Sequence, residues 1–353
     1  MRHYKKLQLT FLLLMKALFF ILIFVVIATA FWQFFKLLGL FKKEQVASEK
    51  ENNINGWLML GLGGFIYGLM LYSMIQGKVV LLPMLSASTE GEHIDNLFII
   101  TMGLIFVVQF ITQFLIYYFT FKYRGVKGKK ATFYADSHKL EMWWTITPTV
   151  VLSVLIIYGL WTWNNVQDLS NAENPLIIEV YAKQFQWEAR YAGEDNQLGI
   201  GNVRFIKGIN TMGVDMSDLS SADDIPVREL YLPKGRKVIF KFRSQDVLHS
   251  AYMPHFRAQI NCVPGMITSF GFTPSVTTLE MRDNEDTKAK FDAINELRVE
   301  RGDDAVEFDY LLLCNKICGS SHYNMQMKVT VVEEEDFNSW LKEQKTLAQV
   351  INQ

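Results

Sequence analysis

Residues 311–327 read LLLCNKICGSSHYNMQM and contain two of the chain's three cysteines. The stretch places two thiols, an imidazole and a thioether within twelve residues, at Cys314, Cys318, His322 and Met325. Such donor atoms suit copper much better than magnesium or calcium, which prefer oxygen ligands. The spacing Cys-x3-Cys-x3-His-x2-Met therefore predicts a soft-metal site.

The donor residues lie between two runs with β-strand character, Tyr310–Leu313 and Lys328–Val332. Gly319 would weaken a helix here and permits a tight turn. We therefore expect a loop that links two strands and presents the four donor side chains. A Cys314–Cys318 disulfide in an oxidising compartment is the alternative, but it leaves the histidine and the methionine unexplained.

The second half of the chain has the pattern of an all-β domain. From Asn174 onwards, short runs of alternating apolar and polar residues are separated by turns rich in glycine and proline. This pattern favours a sandwich or a barrel. Two segments break it: Asp283–Arg301 has helical spacing and predicts an inserted helix, and Glu334–Val350 predicts a terminal amphipathic helix.

The first half of the chain has the pattern of a membrane region. Four apolar segments are long enough to cross a bilayer as helices, at residues 10–41, 56–75, 97–121 and 142–163. Residues 1–163 carry 15 basic and 8 acidic side chains, whereas residues 164–353 carry 20 and 28. We therefore predict four transmembrane helices in residues 1–163 and an acidic soluble domain in residues 164–353.

Charges in the loops predict the orientation. The connection between the third and fourth segments holds six lysines and arginines, whereas residues 76–95 hold one lysine and three acids. The positive-inside rule then places the basic loop in the cytoplasm, with both termini and the soluble domain outside. The basic start MRHYKK and the signal-peptidase-like Ala28-Thr29-Ala30 point the other way. Because the six-base loop is the stronger signal, we expect an uncleaved first helix.

Three kinds of metal site fit the donor residues. Zinc needs four ligands, so Cys314, Cys318 and His322 would require one more histidine. A mononuclear blue-copper site needs one cysteine, two histidines and a weak axial methionine, which leaves one thiol spare. A dinuclear copper site uses the whole set, with both thiolates bridging the metals and a second imidazole from another loop. His249 and His255 are the candidates for that imidazole, and spacing does not choose between them.

Several motifs resemble cytochrome c oxidase subunit II, the subunit that carries the dinuclear CuA centre. They are DVLHS at 246–250, CVPGM at 262–266 and C-x3-C-G-x2-H-x2-M at 314–325. LEMWWTITP at 140–148 resembles the start of that family's last membrane helix, and KQFQW at 183–187 resembles the aromatic segment at the start of its cupredoxin domain. The resemblance runs from Asp95 to the C-terminus and implies a cupredoxin-like sandwich. The first two membrane segments and the helix at 283–301 are additions to the family's common core.

The resemblance also implies a set of copper ligands in this chain. They are the side chains of His249, Cys314, Cys318, His322 and Met325 and the backbone carbonyl of Lys316. The family usually has glutamate at the position of Lys316, where the side chain helps to bind magnesium at a subunit interface. Because lysine cannot ligate magnesium as a carboxylate would, we do not expect a standard magnesium site.

Two further roles are implied outside the copper ligands. Phe185 aligns with the tryptophan through which the family usually takes up electrons, and Trp187 is then the nearest indole. Glu141 matches a carboxylate associated with the opening of one proton channel of the catalytic subunit. Without the resemblance, Glu141 would be interpreted as a first-turn carboxylate favoured by the helix dipole.

The implied function is electron transfer in a terminal oxidase of the bacterial inner membrane, with the copper domain on the periplasmic side. The chain would accept single electrons from cytochrome c or a haem c domain. It would pass them to haem in the catalytic subunit I, which assembles with further membrane subunits, for the reduction of O2 to water coupled to proton translocation. The sequence has no Cys-x-x-Cys-His, so we expect no c-type haem in this chain, and we expect no nucleic-acid partner.

Three rival classes predict different sequences. A quinol oxidase subunit II shares the architecture but lacks the copper ligands. A copper chaperone or thiol-redox protein would have a thioredoxin-like βαβ pattern, whereas residues 164–353 of this chain have mainly strands. A zinc-stabilised module would not need Met325.

Overall fold

The computed structural model describes residues 19–36, 47–76, 85–131, 133–170 and 172–351. Four helices in this part of the chain are long and apolar enough to cross a membrane. They are α1 (Phe19–Lys36), α2 (Glu49–Gln76), α3 (Thr89–Lys122) and α4 (His138–Gln167). The four predicted spans are confirmed as helices, although residues 10–18 and 37–41 of the first lie outside the described residues. The last three helices extend beyond the predicted spans because their ends are polar and carry no hydropathy signal.

The rest of the chain forms a β-sandwich of two five-stranded sheets. The strands are β1 (Leu176–Lys183), β2 (Gln186–Tyr191), β3 (Ile225–Val227), β4 (Leu230–Pro233), β5 (Val238–Ser244), β6 (His249–Met253), β7 (Ala258–Cys262), β8 (Thr268–Phe272), β9 (Tyr310–Cys314) and β10 (Gln326–Val332). The first sheet has the order β3-β2-β1-β5-β8, and the second has the order β4-β10-β9-β6-β7. The predicted cupredoxin-like sandwich is therefore confirmed.

Both predicted helices of the second half are present, and the terminal one is divided into two. The inserted helix predicted at 283–301 is α6 (Glu285–Arg301), which follows a short helix that was not predicted, α5 (Thr278–Asp283), and the terminal helix comprises α7 (Glu334–Glu343) and α8 (Leu347–Ile351). Asn284 separates α5 from α6: its extended backbone ends α5, and its side chain accepts hydrogen bonds from amides in the first turn of α6. Asn284 is thus the N-cap of α6, in agreement with the predicted start of the inserted helix at Asp283.

The loop of residues 315–325 between β9 and β10 is called the donor loop below. Alternating burial shows why these two strands form at its ends. In β9, Tyr310 and Leu312 are buried between half-buried neighbours, and in β10 Met327, Val329 and Val331 are buried. This period of two places every second side chain in the core between the sheets. The core therefore anchors both strands from which the donor loop emerges.

The strand β1 is buried on both of its faces. Its Ile178 and Val180 belong to the main core, whereas Tyr181 lies in a second apolar cluster with Met212 and Leu347. The loop around Met212 and the helix α8 thus cover the outer face of the first sheet. A strand enclosed in this way, between β2 and β5, is a rigid base for the turn that follows it.

A chain of buried ion pairs crosses this covered face. Glu179 accepts hydrogen bonds from Arg190 Nε at 2.6 Å and from Arg243 Nε at 2.5 Å, and Arg190 also donates to Asp224. Burial alone would raise the pKa of Glu179, but the two guanidinium groups lower it below its ordinary value. Removing one partner from such a buried pair costs about 3–5 kcal/mol, because a charge is left without compensation.

The first turn of α3 is bonded directly to the sandwich. Glu90 accepts hydrogen bonds from Lys237 Nζ at 2.6 Å and from the Thr273 amide at 2.7 Å. Asp95, further along the helix, pairs with Arg257 at 2.8 Å. The start of α3 and the sandwich therefore belong to one compact unit, of residues 72–110 and 135–353.

A second compact unit comprises the described residues of the ranges 1–71 and 111–134. Within it, the rings of Trp57 and Phe121 pack at 4.7 Å, and Arg124 Nε donates to Asn53 Oδ1 at 2.6 Å. Gly63 has no side chain to obstruct the ring of Tyr117, since a Cβ there would lie 2.6 Å from Tyr117 Cδ2. The glycine thus allows α2 and α3 to approach closely.

The buried carboxyl of Asp224 predicts a pH dependence of stability. Burial raises the pKa of Asp224 to about 7 against an ordinary 3.8, although Arg190 opposes the shift. Between these two values the folded chain keeps a proton that the unfolded chain has lost, so stability falls as the pH rises from about 4 to about 7. We predict that Asp224→Asn reduces this fall, measured as the melting temperature of the full-length chain in detergent by near-UV circular dichroism. Equal pH slopes for the two proteins would contradict the prediction.

Candidate metal centre

Three donor side chains from two separate segments of the chain meet inside the sandwich. One ligand atom each from His249, Cys314 and Cys318 lies within 4.8 Å of the other two. Cys314 Sγ is 3.8 Å from His249 Nδ1 and 3.8 Å from Cys318 Sγ. Both thiols are free, so no Cys314–Cys318 disulfide is present.

The remaining predicted donors lie against the same two sulfur atoms. Cys318 Sγ is 3.6 Å from His322 Nδ1 and 3.8 Å from Met325 Sδ. The Lys316 carbonyl oxygen is 3.2 Å from Cys314 Sγ. Atoms that share a metal ion at about 2.0–2.3 Å stand roughly 3–4 Å apart, so these separations suit a common metal centre.

Strand pairing positions the first donors. His249 begins β6 and Cys314 ends β9, and these strands pair antiparallel with Ala251 opposite Cys314. The other donors lie in the loop between β9 and β10. A hydrogen bond from the Cys314 amide to the Met325 carbonyl, at 3.1 Å, closes this loop. The sheet therefore holds both ends of the donor loop beside His249.

Asp246 orients the imidazole of His249. Its Oδ1 lies 2.8 Å from His249 Nε2, so the other ring nitrogen, Nδ1, faces Cys314. Burial opposes ionisation of Asp246, but hydrogen bonds from His249 and from the amides of Gln184 and Val247 lower its pKa. A carboxylate in this position fixes the tautomer and the ring plane of a ligating histidine. Sequence reasoning gave Asp246 no role beside His249, although it begins the motif DVLHS.

His255 lies outside this donor group. Its ring packs against Phe308 at 5.0 Å and Tyr310 at 5.5 Å, and burial, with Arg257 nearby, lowers the pKa of His255 to about 4. Cys262 is opposite His249 in the β6–β7 pair and is fully buried, and burial raises its pKa to about 12. The sequence left His255 open as a candidate, and the fold uses it in packing.

The residues predicted for electron uptake lie at different depths. Phe185 is half-buried, with its ring against Gly319 of the donor loop. Trp187 is only 4% exposed, and its ring centroid is 6.2 Å from that of His249. Glu141, predicted for a proton path, is exposed in the first turn of α4, at the opposite end of that helix from the residues leading into β1.

Gly319 allows a close contact that a side chain would prevent. Its φ of +144° favours glycine, and a Cβ there would lie 2.7 Å from Phe185 Cε1. We predict that Gly319→Ala lowers the melting temperature of the full-length chain through both the clash and backbone strain of about 1–3 kcal/mol. Adding Phe185→Ala should recover the part of the clash that is due to the ring, whereas Gln184 Nε2, 2.9 Å from the same Cβ position, remains.

Gly265→Ala is the matched control for strain without a clash. Gly265 has a φ of +81°, and among the described residues no atom beyond its chain neighbours lies within 4 Å of its Cβ position. Equal losses in melting temperature for the two single variants, with no recovery in the double variant, would show that the contact with Phe185 is unimportant.

Known proteins resemble this chain in sequence over most of its length. Residues 80–161 match the family model described as cytochrome C oxidase subunit II, transmembrane domain. The alternative cytochrome c oxidase subunit 2 of Bradyrhizobium diazoefficiens is 31% identical over 264 residues, which cover 74% of this chain and 83% of the relative. Cytochrome c oxidase subunit 2 of Cereibacter sphaeroides is 23% identical over 269 residues, or 73% of this chain and 78% of that one.

A solved structure is similar to part of this chain. The structure of the periplasmic domain of subunit II of cytochrome oxidase from Bradyrhizobium japonicum aligns with 50% of this chain, over 95% of the length of that domain. The identity is 19% and the TM-score is 0.30. The assignment therefore rests on sequence, and the relatives are subunits of an oxidoreductase complex. With 31% identity across most of both proteins, the chain belongs to the cytochrome c oxidase subunit 2 family.

Proposed function

We propose that the chain is the electron-transfer subunit of a terminal oxidase and holds a dinuclear copper centre. The ligands would be the side chains of His249, Cys314, Cys318, His322 and Met325 and the backbone carbonyl of Lys316. One observation carries the proposal: the two sulfur atoms lie 3.8 Å apart, and each has its own imidazole nitrogen, at 3.8 Å and 3.6 Å. Two thiols and two imidazoles gathered in this way would hold a pair of copper ions, for which they would supply soft ligands.

Single-metal sites account for fewer of these contacts. A mononuclear blue-copper site would leave one of the two facing thiols unused. A four-coordinate zinc ion could take both cysteines and both histidines. Zinc would give no role to Met325, which is 1% exposed and has its Sδ 3.8 Å from Cys318 Sγ. The complete donor set therefore favours two coppers.

The chain's own residues provide rigidity and a dry environment. Once bound, a copper pair supplies one-electron redox chemistry with small changes in bond length, because the charge is shared. His249 is fully buried and Met325 is nearly so, and these side chains restrict the access of water. Asp246 fixes the His249 ring, and outer hydrogen bonds of this kind tune the potential of a metal site.

The proposed placement is a bacterial inner membrane, with the domain of residues 164–353 and both termini on the periplasmic side. The sandwich follows the C-terminal end of α4, and the basic loop precedes its N-terminal end, so a membrane crossed by α4 separates the two. The basic loop favours the cytoplasm. Glu141 then lies at the cytoplasmic end of α4, where we propose that it serves a proton path.

The proposed partners follow from membership of the family. The chain would take single electrons from cytochrome c or a haem c domain through Phe185, which is half-exposed beside the donor loop. It would deliver them to haem in subunit I, within an assembly of membrane subunits that reduces O2 to water and translocates protons. Lys316 offers no carboxylate, so a standard interface magnesium site is not part of the proposal.

We predict two coppers per chain and a mixed-valence EPR signal split by both copper nuclei in the purified complex. Cys318→Ser should abolish that signal, because serine cannot replace a bridging thiolate. Lys316→Ala is the matched control in the same loop, and it should keep the signal because only its carbonyl is used. The copper content and the EPR spectrum would be measured for the wild-type complex and for both variants.

Three outcomes would count against the copper pair. The dinuclear assignment would be wrong if a complex with two bound coppers, in its one-electron-oxidised state, gave no EPR signal split by both copper nuclei. A normal spectrum in Cys318→Ser would remove the bridging role of that thiol. Stoichiometric zinc in place of copper, with the fold intact, would favour the structural zinc site.

A further inference from the structure

The turn between β1 and β2 bonds to both segments that carry the donors. The backbone amide of Gln184 donates to Asp246 Oδ2 at 2.7 Å, and Asp246 holds the ring of His249. The side-chain amide of the same glutamine donates to the backbone carbonyl of Cys318. One residue outside the donor set thus connects the His249 segment to the donor loop.

Trp187, at the start of β2, makes a second connection of the same kind. Its indole Nε1–H donates to the Met325 carbonyl at 3.4 Å, and its ring meets the His249 ring edge-on. Between the two, the ring of Phe185 lies against Gly319, immediately after Cys318. Gln186, which is exposed like Gln184, pairs by register with Lys183.

These contacts connect the two sheets of the sandwich. The donors lie on strands of the second sheet or in its β9–β10 loop, whereas Gln184 and Trp187 belong to the β1–β2 hairpin of the first sheet. Both faces of β1 are buried, so the hairpin is fixed before any metal binds. A loop held by such a base loses less conformational freedom when it binds a metal.

We propose that Gln184 and Trp187 are positioning residues that hold the donors in register, so that the site is formed before copper enters it. This inference rests on the proposed copper function and gives Trp187 a role other than electron uptake. With 4% of its surface exposed, Trp187 offers almost no area to a docking donor protein. Its N–H and its ring are both used in contacts with the donor segments.

The test uses the full-length chain in detergent, with copper ions alone as the probe. Gln184→Met and Trp187→Phe each remove one hydrogen-bond donor and keep most of the side-chain volume. Gln186→Met, in the same turn, is the matched control. We expect the first two variants to bind copper roughly 10–100-fold more weakly in competition with a chelator, as loss of an outer-shell partner does. We also expect changed copper hyperfine splitting, and wild-type behaviour from the control.

A measurement without metal separates positioning from a direct effect on copper. Hydrogen exchange in residues 315–325 of the metal-free chain should be faster in Gln184→Met than in the control. Because Gln184 lies at the surface, this variant keeps the core intact and decides the result even if Trp187→Phe unfolds. Wild-type copper affinity, splitting and exchange in Gln184→Met would overturn the inference. A wild-type chain that binds no copper pair would instead overturn the proposed function. The hydrogen-exchange comparison would still test whether Gln184 positions the donor loop, because it is made without metal.

Discussion

The antiparallel pairing of β6 with β9 is the constraint on which the candidate site depends. It brings His249 beside Cys314 across 65 residues of sequence, and no local interaction could do this. Because neighbouring strands lie about 4.8 Å apart, the pairing also sets the spacing of the first two donors. The eleven residues 315–325 then form a loop that leads into β10, and β10 pairs antiparallel with β9 in the same sheet.

The two sheets divide the work of the domain. The second sheet carries the donors, and the first sheet supplies the hairpin that bonds to them. Its central strand β1 has the buried ion pairs of Glu179 on one face and the apolar core on the other. Packing on both sides leaves that hairpin little freedom to move, which is what the proposed electron-transfer centre would require.

Much of the fold could be predicted from local patterns. Hydropathy found the four membrane helices, and alternation found strands such as β9, where Tyr310 and Leu312 enter the core. The short helix α5 was not predicted, because its six residues are too few to show a period of apolar residues. The polar ends of α2, α3 and α4 were missed for a similar reason, since helical hydrogen bonds continue where apolar residues stop.

The sequence by itself determined which donor atoms share the loop of residues 314–325 and which segments are apolar enough for a membrane. Both are properties of residue type and short-range spacing. Sequence spacing left His249 and His255 equivalent, and it gave no role to Asp246 or Gln184. The tertiary structure places His249 beside the cysteines and brings Asp246 and Gln184 into contact with the donor segments, because each contact depends on which strands pair and on what one sheet presents to the other. It also buried Asp224, whose environment is created by residues distant in sequence.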